Sequence, residues 1–323
     1  MKSPVLSILF LLISVTLLAV PNDFRFRHFS VKDGLSSNSV RAIMQDKYGF
    51  LWIGTEEGLN RYDGIMIKSY SICPQAAGKY ISSLYGTKKN IWIGTDEGIY
   101  IYAYATETFT YFDLTTPNNV RITSIVNHIL QDKDGNLWFS TNGQGLFRYN
   151  LSKNYLEQYE FTSAFGIVAS TMADSDNQIW ALTNQGESGV YKLNKAENKF
   201  EPFGLLYNAG NHHSQALAML EDSEQTLWLG TWECGLQKID KYTRQTTTYL
   251  HPTDGKGVTH IHSLMEYAPH QLLIGSDDGL LLFNTLTEEY KLFTENETVP
   301  NSLSNRFVYP IIKDREGGIW IGT

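Results

Sequence analysis

The sequence has little cysteine, no excess of positive charge and only one long apolar run, and each shortage excludes something. Lys and Arg number 26 against 34 Asp and Glu, a net charge of −8 with a pI near 5.5. There is no basic footprint, so nucleic acid is not expected as a partner. The apolar run from Val5 to Val20 follows Lys2 and contains Ser7, Ser14 and Thr16. That is short for a membrane span and suited to a secretory h-region, so residues 1–20 read as a signal peptide and the chain is expected to be exported. Leu17 and Ala19 only half satisfy a small-x-small cleavage site, which leaves an uncleaved anchor open. No cysteine lies near the run, which removes lipoprotein anchoring.

What is present is repetition. Six of the seven tryptophans stand in one phrase: Leu51-Trp-Ile-Gly-Thr55, Ile91-Trp-Ile-Gly-Thr95, Leu137-Trp-Phe-Ser-Thr141, Ile179-Trp-Ala-Leu-Thr183, Leu227-Trp-Leu-Gly-Thr231 and Ile319-Trp-Ile-Gly-Thr323. A further copy, Leu272-Leu-Ile-Gly-Ser276, puts Leu273 in the tryptophan slot. The anchors are spaced by 40, 46, 42, 48, 45 and 47 residues, the period of four-stranded propeller blades. The expected fold is all-β: a seven-bladed β-propeller of four-stranded antiparallel blades, forming one domain over residues 21–323. A composition of 42% hydrophobic and 13% aromatic residues is ample for its core.

Blade 1 shows the unit. Ser39 to Gln45 reads as an inner strand, Asp46-Lys-Tyr-Gly49 as a turn, Phe50 to Thr55 as the second strand, Leu59 to Tyr62 as the third and Ile65 to Tyr70 as the outer one. Asp46, Asp132, Asp174, Asp222 and Asp314 all stand six residues before an anchor; blades 2 and 6 have Gly86 and Tyr267 instead, so their turns should differ. These aspartates suggest turn caps rather than a ring of metal ligands or acids. A sialidase-type Asp box does not fit either, because there Asp precedes Gly by two residues and here by three. The anchor tryptophans read as wedges between sheets rather than sugar platforms, as do Tyr62, Tyr102, Tyr149 and Phe283 in third strands. Cys73 and Cys234 fall about three blades apart and are expected to be unpaired.

Phe24-Arg-Phe-Arg-His-Phe29 alternates like an outer strand and is expected to supply that strand to blade 7. At the other end, an inner strand near Arg306 to Lys313 and the tryptophan strand ending at Thr323 are not followed by the Gly-Leu third strand seen in other repeats. The last blade is therefore expected to be incomplete, and the chain to be the front of a longer polypeptide.

The pattern Asp-x-x-Gly-x-x-Trp-Ile-Gly-Thr followed by Gly-Leu-x-x-Tyr-Asp, clearest from Asp46 to Asp63, resembles the two-component regulator propeller repeat. Phe29-Ser-Val-Lys-Asp-Gly-Leu-Ser-Ser-Asn-Ser-Val40 is similar to the opening of the first propeller in hybrid two-component sensors of glycan-degrading bacteria. The resemblance covers roughly residues 24 to 323, most weakly in blades 4 and 6. It implies a periplasmic sensor of oligosaccharides, with further propeller, β-sandwich, membrane, kinase and DNA-binding parts beyond this segment. It supplies no site residues, because its motif is structural.

Candidate ligand residues come instead from slots where the frame holds and the chemistry varies. Eleven residues before each anchor stand Arg41, Ile81, Asn127, Ala169, Leu217, His262 and Tyr309, placed to line a central channel. The loops between second and third strands open on one face, and one carries Trp232-Glu233, an aromatic ring beside a carboxylate as sugar binding uses. The ligand set is taken as Arg41, His262, Tyr309, Trp232 and Glu233. His212-His213 and His260-x-His262 enter neighbouring blades, but no carboxylate or thiol completes a set at ligand spacing, so no metal, cofactor or catalytic residue is assigned. The leading expectation is a non-catalytic sensor binding an oligosaccharide or forming a homodimer. A propeller glycan lyase or hydrolase acting through His260 or His262, and a non-functional remnant of a sensor, are the rivals.

Overall fold

The computed structural model describes residues 24–72, 79–161, 166–183, 189–204, 215–251 and 257–323. The expected export segment, Cys73, the Asn184–Glu187 loop and His212-His213 lie outside them. The described residues form six four-stranded antiparallel sheets, each in sequence order, and one two-stranded sheet from the seventh repeat, Ile311–Lys313 with Ile319–Ile321. The one helical turn among them is a short 3-10 segment, Val31–Asp33.

Inner strands touch in succession around a ring: Val40–Gln45, Ile81–Gly86, Val126–Gln131, Val168–Ala173, Ala216–Glu221, Ile261–Ala268 and Ile311–Lys313, the last contacting the first. The Val40 amide donates to the Thr323 carbonyl at 3.1 Å across this closure. In blade 1 the strands run Val40–Gln45, Leu51–Thr55, Gly58–Tyr62 and Ile67–Tyr70, within two residues of the sequence expectation.

The expected N-terminal outer strand does not form. Residues 24–29 carry no strand; Phe24 and Phe26 pack instead on Phe293, with ring centroids 5.0 and 6.1 Å away, and Phe29 lies 5.8 Å from Trp320. A strand needs a neighbouring backbone to pair with, and here a groove separates this segment from Ile319–Ile321.

The Asp-x-x-x-x-x-Trp spacing is a covalent ruler for one hydrogen-bonded unit. In blade 1, Oδ1 of Asp46 accepts the amides of Tyr48 and Phe50, as a turn cap should, while Oδ2 accepts the Trp52 indole N–H at 2.8 Å. The same indole bond recurs at Asp132–Trp138, Asp174–Trp180, Asp222–Trp228 and Asp314–Trp320, at 2.7–3.0 Å. Blade 2 has no such aspartate, and the buried Trp92 Nε1 has no hydrogen-bond partner among the described residues. The indoles are wedges: Trp52 packs against Tyr102, Trp92 against Tyr149, Trp228 edge-on against Phe283 and Trp320 against Tyr62, each the third-strand aromatic of the next blade, with ring centroids 5.0–6.2 Å apart. The glycine two residues after the anchor lets the next inner strand come close, since a Cβ at Gly54 would sit 2.5 Å from Ile81 Cγ2.

Candidate functional site

The inner strands surround a cavity of about 590 Å3. Six of the seven slots eleven before the anchors line it, namely Arg41, Asn127, Ala169, Leu217, His262 and Tyr309. Ile81 does not and is fully buried; Ser82 takes its place. Register explains the exception, because Trp52 pairs with Met44 eight residues back, whereas Trp92 pairs with Tyr85 only seven back. The blade 2 hairpin is one residue shorter, and a one-residue shift turns a side chain to the other face of its strand.

Around one sector of the channel mouth, side chains from four consecutive repeats form a continuous ladder. Glu56, from the loop after the second strand of blade 1, accepts Arg41 Nε at 3.0 Å. The Arg41 guanidinium lies 4.2 Å over the Tyr309 ring, and Tyr309 stacks on His262 with centroids 4.8 Å apart. His262 Nε2 meets Asp277 Oδ1 at 2.7 Å, and the other carboxylate oxygen meets His260 Nδ1. Trp232 completes the ladder with its ring centroid 3.8 Å from that of His260.

Local chemistry holds these groups in place. The inner strand sets Arg41 and His262 toward the channel, while the loop Ser276-Asp-Asp-Gly279 is pinned by Ser276 Oγ donating to the Gly279 carbonyl at 2.9 Å. Asp278 accepts both the amide and the hydroxyl of Thr259 at 2.8 and 2.9 Å, tying that loop to the connection that carries His260. His260 has φ 46°, a left-handed backbone costing on the order of 1 kcal/mol for a non-glycine residue, and its amide donates to the Trp232 carbonyl at 3.0 Å. Backbone strain is thus spent on placing an imidazole against an indole.

Charge follows from the same contacts. Burial opposes the Asp277 charge, but hydrogen bonds from His260 and His262 outweigh it and hold the carboxyl below its ordinary range. With Asp277 ionised it can only accept, so both imidazoles donate an N–H to it. Burial pushes the His262 pKa down, and the bond to Asp277 only partly offsets this. Burial likewise opposes the Arg41 charge, but the hydrogen bonds to Glu56, with Tyr309 alongside, prevail and raise its pKa. The ladder therefore offers a fixed cation, a fixed anion and imidazoles within one row of aromatic faces.

Arg41, His262, Tyr309 and Trp232, chosen from sequence, are all in this row. Glu233 is the exposed neighbour of Trp232. Asp277 was missed as a partner, and the expectation that no carboxylate accompanies His260 and His262 is corrected. Asp277 is fifteen residues from His262 in the chain, and only the pairing of Ile261–Ala268 with Gln271–Ser276 brings the loop after one strand back over the start of the other. The three are joined by hydrogen bonds, and no group of metal ligands occurs among the described residues. Cys234 is buried and free. Trp232 is 37% exposed, so the indole is neither wholly packed nor wholly free.

A family model described as two component regulator propeller matches residues 34–57, 120–143 and 302–323. Histidine kinase P4 of Formosa agariphila is 46% identical over 68 residues, 21% of this chain and 5% of that protein. The extracellular domain of a hybrid two-component system from B. thetaiotaomicron superposes with TM-score 0.78 at 24% identity, over 93% of this chain and 41% of that one. Virginiamycin B lyase from Staphylococcus aureus shares the fold with TM-score 0.67 at 15% identity, over 88% of this chain and 92% of that one. The chain thus spans less than half the length of the two-component proteins it matches. The three matched segments contain the anchors Trp52, Trp138 and Trp320, so these repeats of the chain are similar to the two-component regulator propeller repeat.

Proposed function

We propose that this chain is the ligand-sensing part of a periplasmic two-component regulator, a seven-bladed propeller that detects an oligosaccharide at its channel mouth and acts through kinase segments of a longer polypeptide to regulate glycan-use genes. The observation that carries this reading is the ladder from Trp232 to Arg41 beside a cavity of about 590 Å3, within the size range of small-ligand sites. Aromatic faces suit the C–H surfaces of a sugar ring, and Arg41, Asp277 and the imidazoles suit its hydroxyls. Its residues come from different blades, so a ligand bridging them has unequal affinity for two blade packings, the requirement for passing a signal. The ligand set is Arg41, His262, Tyr309, Trp232 and the neighbouring Glu233.

The test is calorimetric titration of the protein with a panel of oligosaccharides, repeated on Trp232→Ala, Tyr309→Ala and Arg41→Ala. Binding by the parent, weakened at least tenfold by these changes with the melting temperature retained, supports the reading; binding indifferent to all three defeats it. The His262–Asp277 pair favours one alternative, a glycan lyase or hydrolase using His262 as base. Product formation from a bound glycan, abolished by His262→Gln while binding persists, would establish that alternative instead.

A further inference from the structure

The cavity at the channel mouth changes character with depth. Two residues further along the inner strands from Arg41, Ser82, Leu217, His262 and Tyr309 stand Ile43, Leu84, Met219, Leu264 and Ile311, and these line the same cavity. The side-chain period of a strand is two, so each points the same way as the mouth residue above it. They also lie at one height, because each pairs with the residue following the anchor of its blade: Ile43 with Ile53, Leu84 with Ile93, Met219 with Leu229, Leu264 with Ile274 and Ile311 with Ile321. All five are partly exposed, and each packs on a different apolar cluster of the core. Their inner strands are neighbours around the ring, so the five form one continuous apolar arc beneath the row from Trp232 to Arg41. In blades 3 and 4 the residues at that height, Ile129 and Thr171, are buried, and His128 and Ser170 face the cavity instead.

The two levels make opposite demands on a ligand. The rim offers donors and acceptors to hydroxyls, whereas the side chains of the arc offer neither. A sugar hydroxyl pressed onto the arc leaves water and gains no partner, which lowers affinity about tenfold or more, while a methyl group there gains by burial. The arc is also shallow. The next step along the same strands reaches Gln45, Gly86, Glu221, Glu266 and Lys313, so the apolar layer is roughly 7 Å deep, room for a methyl group and too little for an acyl chain. A methyl on a ring carbon brings no polar atom with it; an acetyl group brings a carbonyl that would need a donor. Resting on the oligosaccharide reading of this mouth, we propose that the site takes a chain end-on and selects a terminal 6-deoxyhexose. Its C6 methyl lies on the arc of Ile43, Leu84, Met219, Leu264 and Ile311, and its ring hydroxyls face the ladder on one side and His128 and Ser170 on the other.

The experiment titrates the whole protein calorimetrically with matched pairs of short oligosaccharides: chains ending in L-fucose or L-rhamnose, each against the same chain ending in L-galactose or L-mannose, which adds back only the C6 hydroxyl. The expected result is binding at least about tenfold tighter for one deoxy member than for its hydroxylated partner, with nuclear Overhauser contacts from its C6 methyl to the side-chain methyls of Ile43, Met219 or Leu264. Ile43→Thr and Leu264→Thr each put a hydroxyl into the arc and should narrow that preference. Equal affinity within both pairs, contacts confined to the rim, a preference untouched by both variants, or binding only of oligosaccharides without a 6-deoxyhexose end overturns the proposal and leaves the oligosaccharide reading standing. Absence of binding by every oligosaccharide tried defeats that reading, and this inference with it.

Discussion

Replacing Asp46 by alanine removes three hydrogen bonds whose consequences differ. Its carboxylate takes the amides of Tyr48 at 2.9 Å and Phe50 at 3.0 Å, and the Trp52 indole at 2.8 Å. Asp46 is 2% exposed and Trp52 fully buried, so the indole N–H is stranded away from water, while the amides belong to a surface hairpin that water reaches. A bond to a charged acceptor is worth about 1.5–3 kcal/mol, and a stranded buried donor costs about 1–3 kcal/mol. Taking the indole bond in full and the two amides at roughly half gives about 3–6 kcal/mol, or about 5–10 °C of melting temperature for a domain of this size. Asp46→Asn retains an oxygen for the amides but turns an NH2 toward the indole N–H, donor against donor, and should cost roughly 2 kcal/mol. Trp92, whose indole lacks a hydrogen-bond partner among the described residues, is the internal control: Trp92→Phe forfeits no hydrogen bond to them. Urea unfolding of the parent, Asp46→Asn, Trp52→Phe and the double variant should return a coupling energy of about 1 kcal/mol or more. A coupling near zero, with Asp46→Ala costing less than about 1 kcal/mol, would refute the view that this pair welds the hairpin to the sheet interface.

Further expectations are independent of that one. Gly54→Val should cost ~3 kcal/mol or more by thermal denaturation, because its Cβ alone would lie 2.5 Å from Ile81 Cγ2 and the adjoining inner strand must move; a tolerated valine contradicts the close-approach role of this glycine. Stability should fall as pH drops below 6.5, because burial holds His128 down to about 4 and His262 below 6.5, so the unfolded chain binds protons that the folded one does not. The combined His128→Gln, His262→Gln variant should flatten that part of the urea-midpoint curve. Asp277, depressed below 3.8, adds stability that persists above that pH and is lost only as pH falls through its lower folded value, so Asp277→Asn should act at the acid end. At the other end of the strand that carries His262, Glu266 accepts the amide and hydroxyl of Ser223 from the preceding blade at 2.9 and 2.6 Å; this contact is exposed, and Glu266→Ala should cost no more than about 1 kcal/mol.

Asp277 and Ile81 show where reading the chain reaches its limit. Arg41, His262 and Tyr309 were legible because a repeat turns sequence offset into position: eleven residues before the anchor is the same point on the inner strand wherever the hairpin has the same length. Ile81 broke the rule because its hairpin is one residue shorter, a difference visible as the missing aspartate at Gly86 but interpretable only once the Tyr85–Trp92 pairing is known. Trp232 was legible as the tryptophan outside the frame. That it lies on His260, and that Asp277 bridges two histidines, depends on contacts between loops with no fixed spacing.

By itself the sequence determined the radial β architecture, the hairpin order, the aspartate turns and the wedge role of the tryptophans. Each is a short-range consequence of a strand period of two and of turns a few residues long, repeated until it is unmistakable. Only the tertiary structure decided that the five turn aspartates also hold the indoles, that the N-terminal segment stays unpaired beside a groove, and that side chains from four repeats meet in one row at the channel mouth. These depend on ring closure, which brings Thr323 against Val40 and Tyr309 against Arg41, residues that local pattern leaves nearly three hundred positions apart.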